Sequence, residues 1–146
     1  MIDYYKCQYH FNASHSFDGN KEQAHSHTFT MILYICNHSG RDMDFKRLDR
    51  MIEIFLGRYE GMYLNELPCF AGNASIEAIG DYFYEQLKIK LSELNAELMQ
   101  LDIGDTPLGV YQVCDRILLP TVNEKRSREN LEAILFYKKQ MPDQKK

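Results

Sequence analysis

The spacing of apolar residues changes period at Asp44, and this limits the fold more than anything else in the chain. Before it, Tyr5, Cys7, Tyr9, Phe11 and Ala13 alternate within 3–15, and 27–36 (HTFTMILYIC) is rich in β-branched and aromatic residues. Both segments read as strands, joined by a polar loop at 16–24. After it, Phe45, Leu48, Ile52, Phe55 and Leu56 recur at helical spacing, with Asp44 as N-cap. Ser75 caps a second helix carrying Ile76, Ile79, Phe83, Leu87 and Leu91. Glu77 falls in its first turn, where the helix dipole favours a carboxylate. Strand-like sequence returns at 97–103 and 109–119, around the turn Gly104-Asp105-Thr106-Pro107.

The order β-β-α-α-β-β makes this an α+β chain, an antiparallel sheet with two helices on one face. Such a sheet leaves its other face and its edges without cover. Oligomerisation is the simplest remedy, the sheet continuing from one subunit into the next. A further segment, 129–141, carries Leu131, Ile134 and Leu135 on one side and reads as an extra C-terminal amphipathic helix. The expected division is a domain over 1–121 and a helical extension over 122–146.

Composition narrows the function classes. The 146 residues, 45% of them hydrophobic, are enough for one domain with a real core. A formal net charge of -4 gives no reason to expect a nucleic-acid partner. No run approaches the length of a membrane span, and the start of the chain lacks the pattern of a signal peptide. The four cysteines form no Cys-x-x-Cys pair, so free thiols in a cytoplasmic protein are expected.

Three of the five histidines, His15, His25 and His27, lie within thirteen residues. Residues two apart on a strand point the same way, so His25 and His27 project together. An isolated pair of this kind ordinarily binds nothing. A third imidazole from the neighbouring strand changes that: three nitrogen ligands with a fourth position open describe a catalytic zinc rather than a structural one. His10 and His38 read as ordinary polar positions, Asp44 as a cap and Cys69 as a loop thiol.

The segments FNASHSF, AHSHTF, GRDMDFKRL, YLNEL, Ser75-Ile-Glu77 and Gly-Asp105-Thr106 occur in an order that resembles the 6-pyruvoyl-tetrahydropterin synthase and 6-carboxytetrahydropterin synthase family. The resemblance covers roughly 5–115. It implies the tunnelling fold, in which subunit sheets join into an oligomeric β-barrel as a trimer or homohexamer with sites between subunits. It also implies Zn2+ on His15, His25 and His27, a pterin-like substrate held by Asp105 and Thr106, and roles for Ser75 and Glu77 at the start of the second helix. The pathways it points to are queuosine or folate biosynthesis.

Several positions depart from the family pattern, among them Ser26, where the usual His-Gly-His is His-Ser-His. The family's catalytic cysteine aligns with Lys21, and its Asp-His pair aligns with Glu60 and Gly61. Its pterin-anchoring glutamate is the shorter Asp105. Glu22, three residues before His25, matches a subgroup that uses glutamate there and resembles an aldolase cleaving the dihydroneopterin side chain. Two readings stay open. One is a zinc-dependent lyase acting on dihydroneopterin or its triphosphate, with Glu22 as general base. The other is a catalytically lapsed paralogue that keeps the zinc and binds a pterin or purine-like ligand. A new reaction through Lys21 or Cys69 is a third, weaker possibility.

Overall fold

A computed structural model describes residues 3–115. The expected extension over 122–146, its helix at 129–141 and most of 115–119 lie outside the described residues. Strands β1 (Tyr5–His15) and β2 (His25–Asn37) pair antiparallel along their length, from Tyr5 opposite Ile35 to His15 opposite His25. Helices α1 (Phe45–Gly57) and α2 (Ile76–Ser92) follow, then β3 (Ala96–Thr106) and β4 (Gly109–Cys114). The sheet order is β1-β2-β3-β4, all antiparallel.

The helices start where the sequence places them. Asp44 and Ser75 accept the backbone N–H groups of Arg47 and Ala78, each satisfying a donor that the first turn would otherwise leave orphaned. Phe45 departs from the expected inward stripe: it is exposed at the first turn, its ring edge-on to Tyr5. Leu48, Ile52, Phe55 and Leu56 of α1 are buried with Ile79, Phe83, Leu87 and Leu91 of α2. They meet one face of the sheet, formed by Phe11, Phe29, Met31, Leu33 and Ile35 with Leu101 and Ile103. Truncating a fully buried ring such as Phe83 in this layer costs about 3–5 kcal/mol. Gly80 sets the approach of α2: a Cβ there would stand 2.7 Å from Cδ2 of Tyr111 on β4.

Two irregularities in β3 adjust its register. Tyr34 pairs with Gln100 but Ile35 with Leu98, so Met99 is an extra residue. This bulge keeps Leu98 and Ala96 buried on the same side as Leu101 and Ile103. The second falls between Ile103 and Thr106, near the end of β3. Asp105 and Thr106 therefore belong to the strand rather than to the expected turn, which is confined to Pro107 and Leu108.

Candidate metal centre

The inward stripe of β2 does not stop at Phe29. It runs on through His27 to His25, while β1 ends at His15 directly across from His25, with the small Ala13 across from His27. Alternation thus carries three imidazoles to one end of the core. Their ring centroids lie 4.6 Å apart for His15–His25 and His25–His27, and 5.3 Å for His15–His27. One nitrogen from each lies within 4.8 Å of the other two.

The polarity of His15 is set by its neighbours. The ring is buried, and its Nδ1 stands 2.7 Å from the carbonyl oxygen of Ala74. A carbonyl only accepts, which assigns the proton to Nδ1 and the lone pair to Nε2 in the neutral ring. Nε2 is buried without a hydrogen-bond partner among the described residues. The nearest charged atom is Oδ2 of Asp105 at 3.5 Å, which also lies 3.8 Å from Nε2 of His27. A lone pair facing a carboxylate is an arrangement that a cation relieves. Burial also lowers the pKa of His27, against the opposing pull of Asp105, which keeps the ring neutral as a ligand must be. Three imidazoles, one with an orphaned buried nitrogen oriented by a backbone carbonyl, fit a zinc ion with a free fourth position.

Two supports of this centre have no role that the sequence assigns, although Asn65 falls within the YLNEL segment. Ala74, whose carbonyl orients His15, stands immediately before the Ser75 cap of α2. Asn65 is buried and clamps the residue after His15: its Oδ1 accepts Ser16 N–H at 2.9 Å. Its Nδ2 donates to the carbonyls of Ser16 at 3.0 Å and Gly72 at 2.9 Å.

The other sequence-derived residues fall in different places. Asp105 touches the histidines and also lines a cavity of about 420 Å³ with Gln8, His10, Thr28, Thr30 and Thr106. Thr106 accepts the Leu108 N–H through Oγ1 and closes the β3–β4 turn. Ser75 is engaged as the α2 cap. Glu77 lies in the first turn of that helix, with no hydrogen bond or ion pair from its side chain among the described residues. Glu22 sits on a 3-10 turn, Lys21–Gln23, just before β2. Its carboxylate is exposed and makes no hydrogen bond or ion pair among the described residues.

Lys21 turns to Glu66 at 3.0 Å and over the Tyr63 ring. Glu60 accepts both the backbone and side-chain N–H of Asn12, which lowers its pKa. Gly61, with φ +72°, donates its N–H to the Asn12 carbonyl. This segment docks on the outer edge of β1, where Tyr63 bridges Ser14. A histidine at position 61 would occupy a left-handed backbone that favours glycine. Cys69 is exposed, and partial desolvation shifts its thiol upward, the direction opposite to that of an activated nucleophile.

The sequence model of a family described as 6-pyruvoyl tetrahydropterin synthase matches residues 4–115. No curated protein matches the chain. Among solved structures, the fold is similar to that of Caenorhabditis elegans 6-pyruvoyl tetrahydropterin synthase, with a TM-score of 0.61 at 16% identity over 79% of this chain and 98% of that one. An uncharacterized protein from Wolinella succinogenes superposes with a TM-score of 0.59 at 14% identity, covering 80% of this chain and 99% of the other. A Plasmodium vivax 6-pyruvoyltetrahydropterin synthase variant, with a catalytic glutamate replaced by alanine, gives 0.53 at 16% identity over 79% and 99%.

Proposed function

The chain belongs to the 6-pyruvoyl tetrahydropterin synthase family. From that premise we propose that it is a zinc-dependent lyase acting on the side chain of dihydroneopterin or its triphosphate. The observation that carries this reading is the convergence of His15, His25 and His27 around the orphaned, buried Nε2 of His15. These three residues would hold the ion. When bound, zinc supplies Lewis-acid polarisation of a hydroxyl or carbonyl on the substrate.

The remaining roles belong to the protein's own groups. Asp105 accepts N–H donors of the heterocycle at the metal end of the core, where its carboxylate stands 3.5 Å from Nε2 of His15 and 3.8 Å from Nε2 of His27. Ser75 and Glu77 take part from the start of α2, next to the carbonyl that orients His15. Glu22, three residues before His25, takes the proton from the substrate side chain as general base. With no side-chain partner among the described residues it is available, and the catalytic glutamate of the Plasmodium vivax enzyme supports a carboxylate in this chemistry. Lys21, engaged with Glu66, supplies no base. The protein would work as a trimer or hexamer with sites between subunits, since among the described residues β4 and much of β1 present unpaired outer edges.

A second reading, a paralogue that binds a pterin or purine-like ligand without turnover, is favoured by one feature. Positions 21 and 61 carry a paired lysine and a left-handed glycine where the family has its cysteine and histidine. The Glu22→Gln variant decides between them. If the protein is a lyase, this variant loses turnover and keeps its zinc and its bound pterin. Unchanged turnover in Glu22→Gln, or turnover by a metal-free His25→Ala variant, would defeat the mechanism.

A further inference from the structure

The opposite end of β2 carries a second set of donors, on the opposite face of the sheet. Cys36 is even-numbered, so it points away from the inward stripe of Leu33 and Ile35, and Glu97 pairs directly with it on β3. His38 lies one residue past the strand, yet its backbone N–H still donates to the Asn95 carbonyl at 2.9 Å. The ladder is therefore extended far enough to keep His38 on the same side as Cys36. Sγ of Cys36, a ring nitrogen of His38 and a carboxylate oxygen of Glu97 all lie within 4.8 Å of one another, with His38 Nε2 and Glu97 Oε1 3.4 Å apart. The Cys36 thiol donates to the carbonyl oxygen of Asp3 at 3.0 Å, a hydrogen bond that a metal must replace when it takes the sulfur.

We propose that Cys36, His38 and Glu97 form a second binding site for a divalent transition metal, separate from the histidine triad. One sulfur, one imidazole nitrogen and one carboxylate oxygen make a borderline-soft donor set that suits Zn2+ or Co2+ over Mg2+ or Ca2+. His38 and Glu97 are 60% and 47% exposed, so solvent reaches the site and water fills the remaining coordination position. Nine residue steps of extended chain run from His27 to Cys36, which puts the two sites roughly 30 Å apart. Burial pushes the Cys36 thiol up, and metal binding must displace that proton. The third ligand arrives from a strand about sixty residues later, which is why Cys36-x-His38 alone carries no sequence signal.

Sulfur separates the two sites experimentally, because the triad contains none. The full chain, stripped by a chelator, is titrated with Co2+ alone while thiolate-to-cobalt charge-transfer absorption is followed. The expected result is two cobalt ions bound per chain at saturation, with a charge-transfer band whose intensity corresponds to one thiolate-ligated cobalt. The band is lost in C36S and weakened in both H38A and E97Q, but retained in H25A, C69S and C114S. The conservative E97Q variant guards against a misfolded C36S. A titration without the band, or a band that survives C36S, would overturn the proposal. The band bears only on this site, so loss of one cobalt in H25A reports on the triad separately.

Discussion

Replacing Asn65 by alanine tests how the metal centre is built, because this side chain holds the loop that follows His15. The substitution leaves the Ser16 N–H and the carbonyls of Ser16 and Gly72 without their partners, in a place where Ser16 is 1% exposed. At roughly 1 kcal/mol for each lost hydrogen bond in a buried setting, the expected cost is about 3 kcal/mol. For a chain of this length that corresponds to a fall in Tm of roughly 10 °C. The damage extends to the metal: with Ser16 released, His15 loses its fixed position, and zinc affinity falls by about tenfold or more. Asn65→Asp is no remedy. It keeps the acceptor for Ser16 N–H but sets an oxygen against two carbonyl oxygens. Denaturant unfolding of the metal-free proteins gives the stability term, and competition with a chromophoric chelator gives the affinity. An Asn65→Ala protein within about 0.5 kcal/mol of wild type would refute the reasoning.

At Gly61 the backbone is left-handed and a Cβ added there would meet nothing within 4 Å, so Gly61→Ala costs about 1 kcal/mol of backbone strain, with Gly61→Asn closer to wild type in the same unfolding assay. Gly80→Ala is destabilising by about 1–3 kcal/mol, although helix propensity alone favours alanine, because the Tyr111 ring it meets is tethered through its hydroxyl to Asp81; a stabilised variant would show that the ring gives way. Because burial lowers the His27 pKa, the unfolded chain binds the proton more readily. The stability from this neutral ring is complete above about pH 6.5 and is lost as pH falls through the lowered value. Metal-free wild type is therefore expected to lose more of its denaturation midpoint between about pH 7.5 and pH 5.5 than His27→Gln does, and equal losses would contradict this assignment.

Periodicity made most of the fold legible. Alternation placed Phe11 and Ala13 inward, helical spacing placed Leu48 through Leu56 and Ile79 through Leu91, and the capping residues Asp44 and Ser75 marked both helix starts. The same alternation found the histidines, because His25 and His27 simply continue the buried stripe of β2. The β3 bulge at Met99 was not legible, since nothing local distinguishes an extra strand residue from a regular one. The flanking glycine and proline make Asp105 and Thr106 read as a turn, whereas cross-strand pairing with β4 keeps Thr106 in the sheet. Asn65 and the Ala74 carbonyl escaped for a different reason. Their contribution lies in hydrogen bonds across 49 and 59 residues of sequence, which no local pattern encodes.

Product analysis tests the central claim most directly: the zinc-loaded full chain is incubated with 7,8-dihydroneopterin and with its triphosphate, and the products are resolved by mass spectrometry. The account predicts a pterin with an altered C6 side chain (6-hydroxymethyl, 6-pyruvoyl or 6-carboxy), formed by wild type and absent with Glu22→Gln. Recovery of both compounds unchanged from a protein that holds zinc and retains the pterin would contradict it and leave a binding protein in its place.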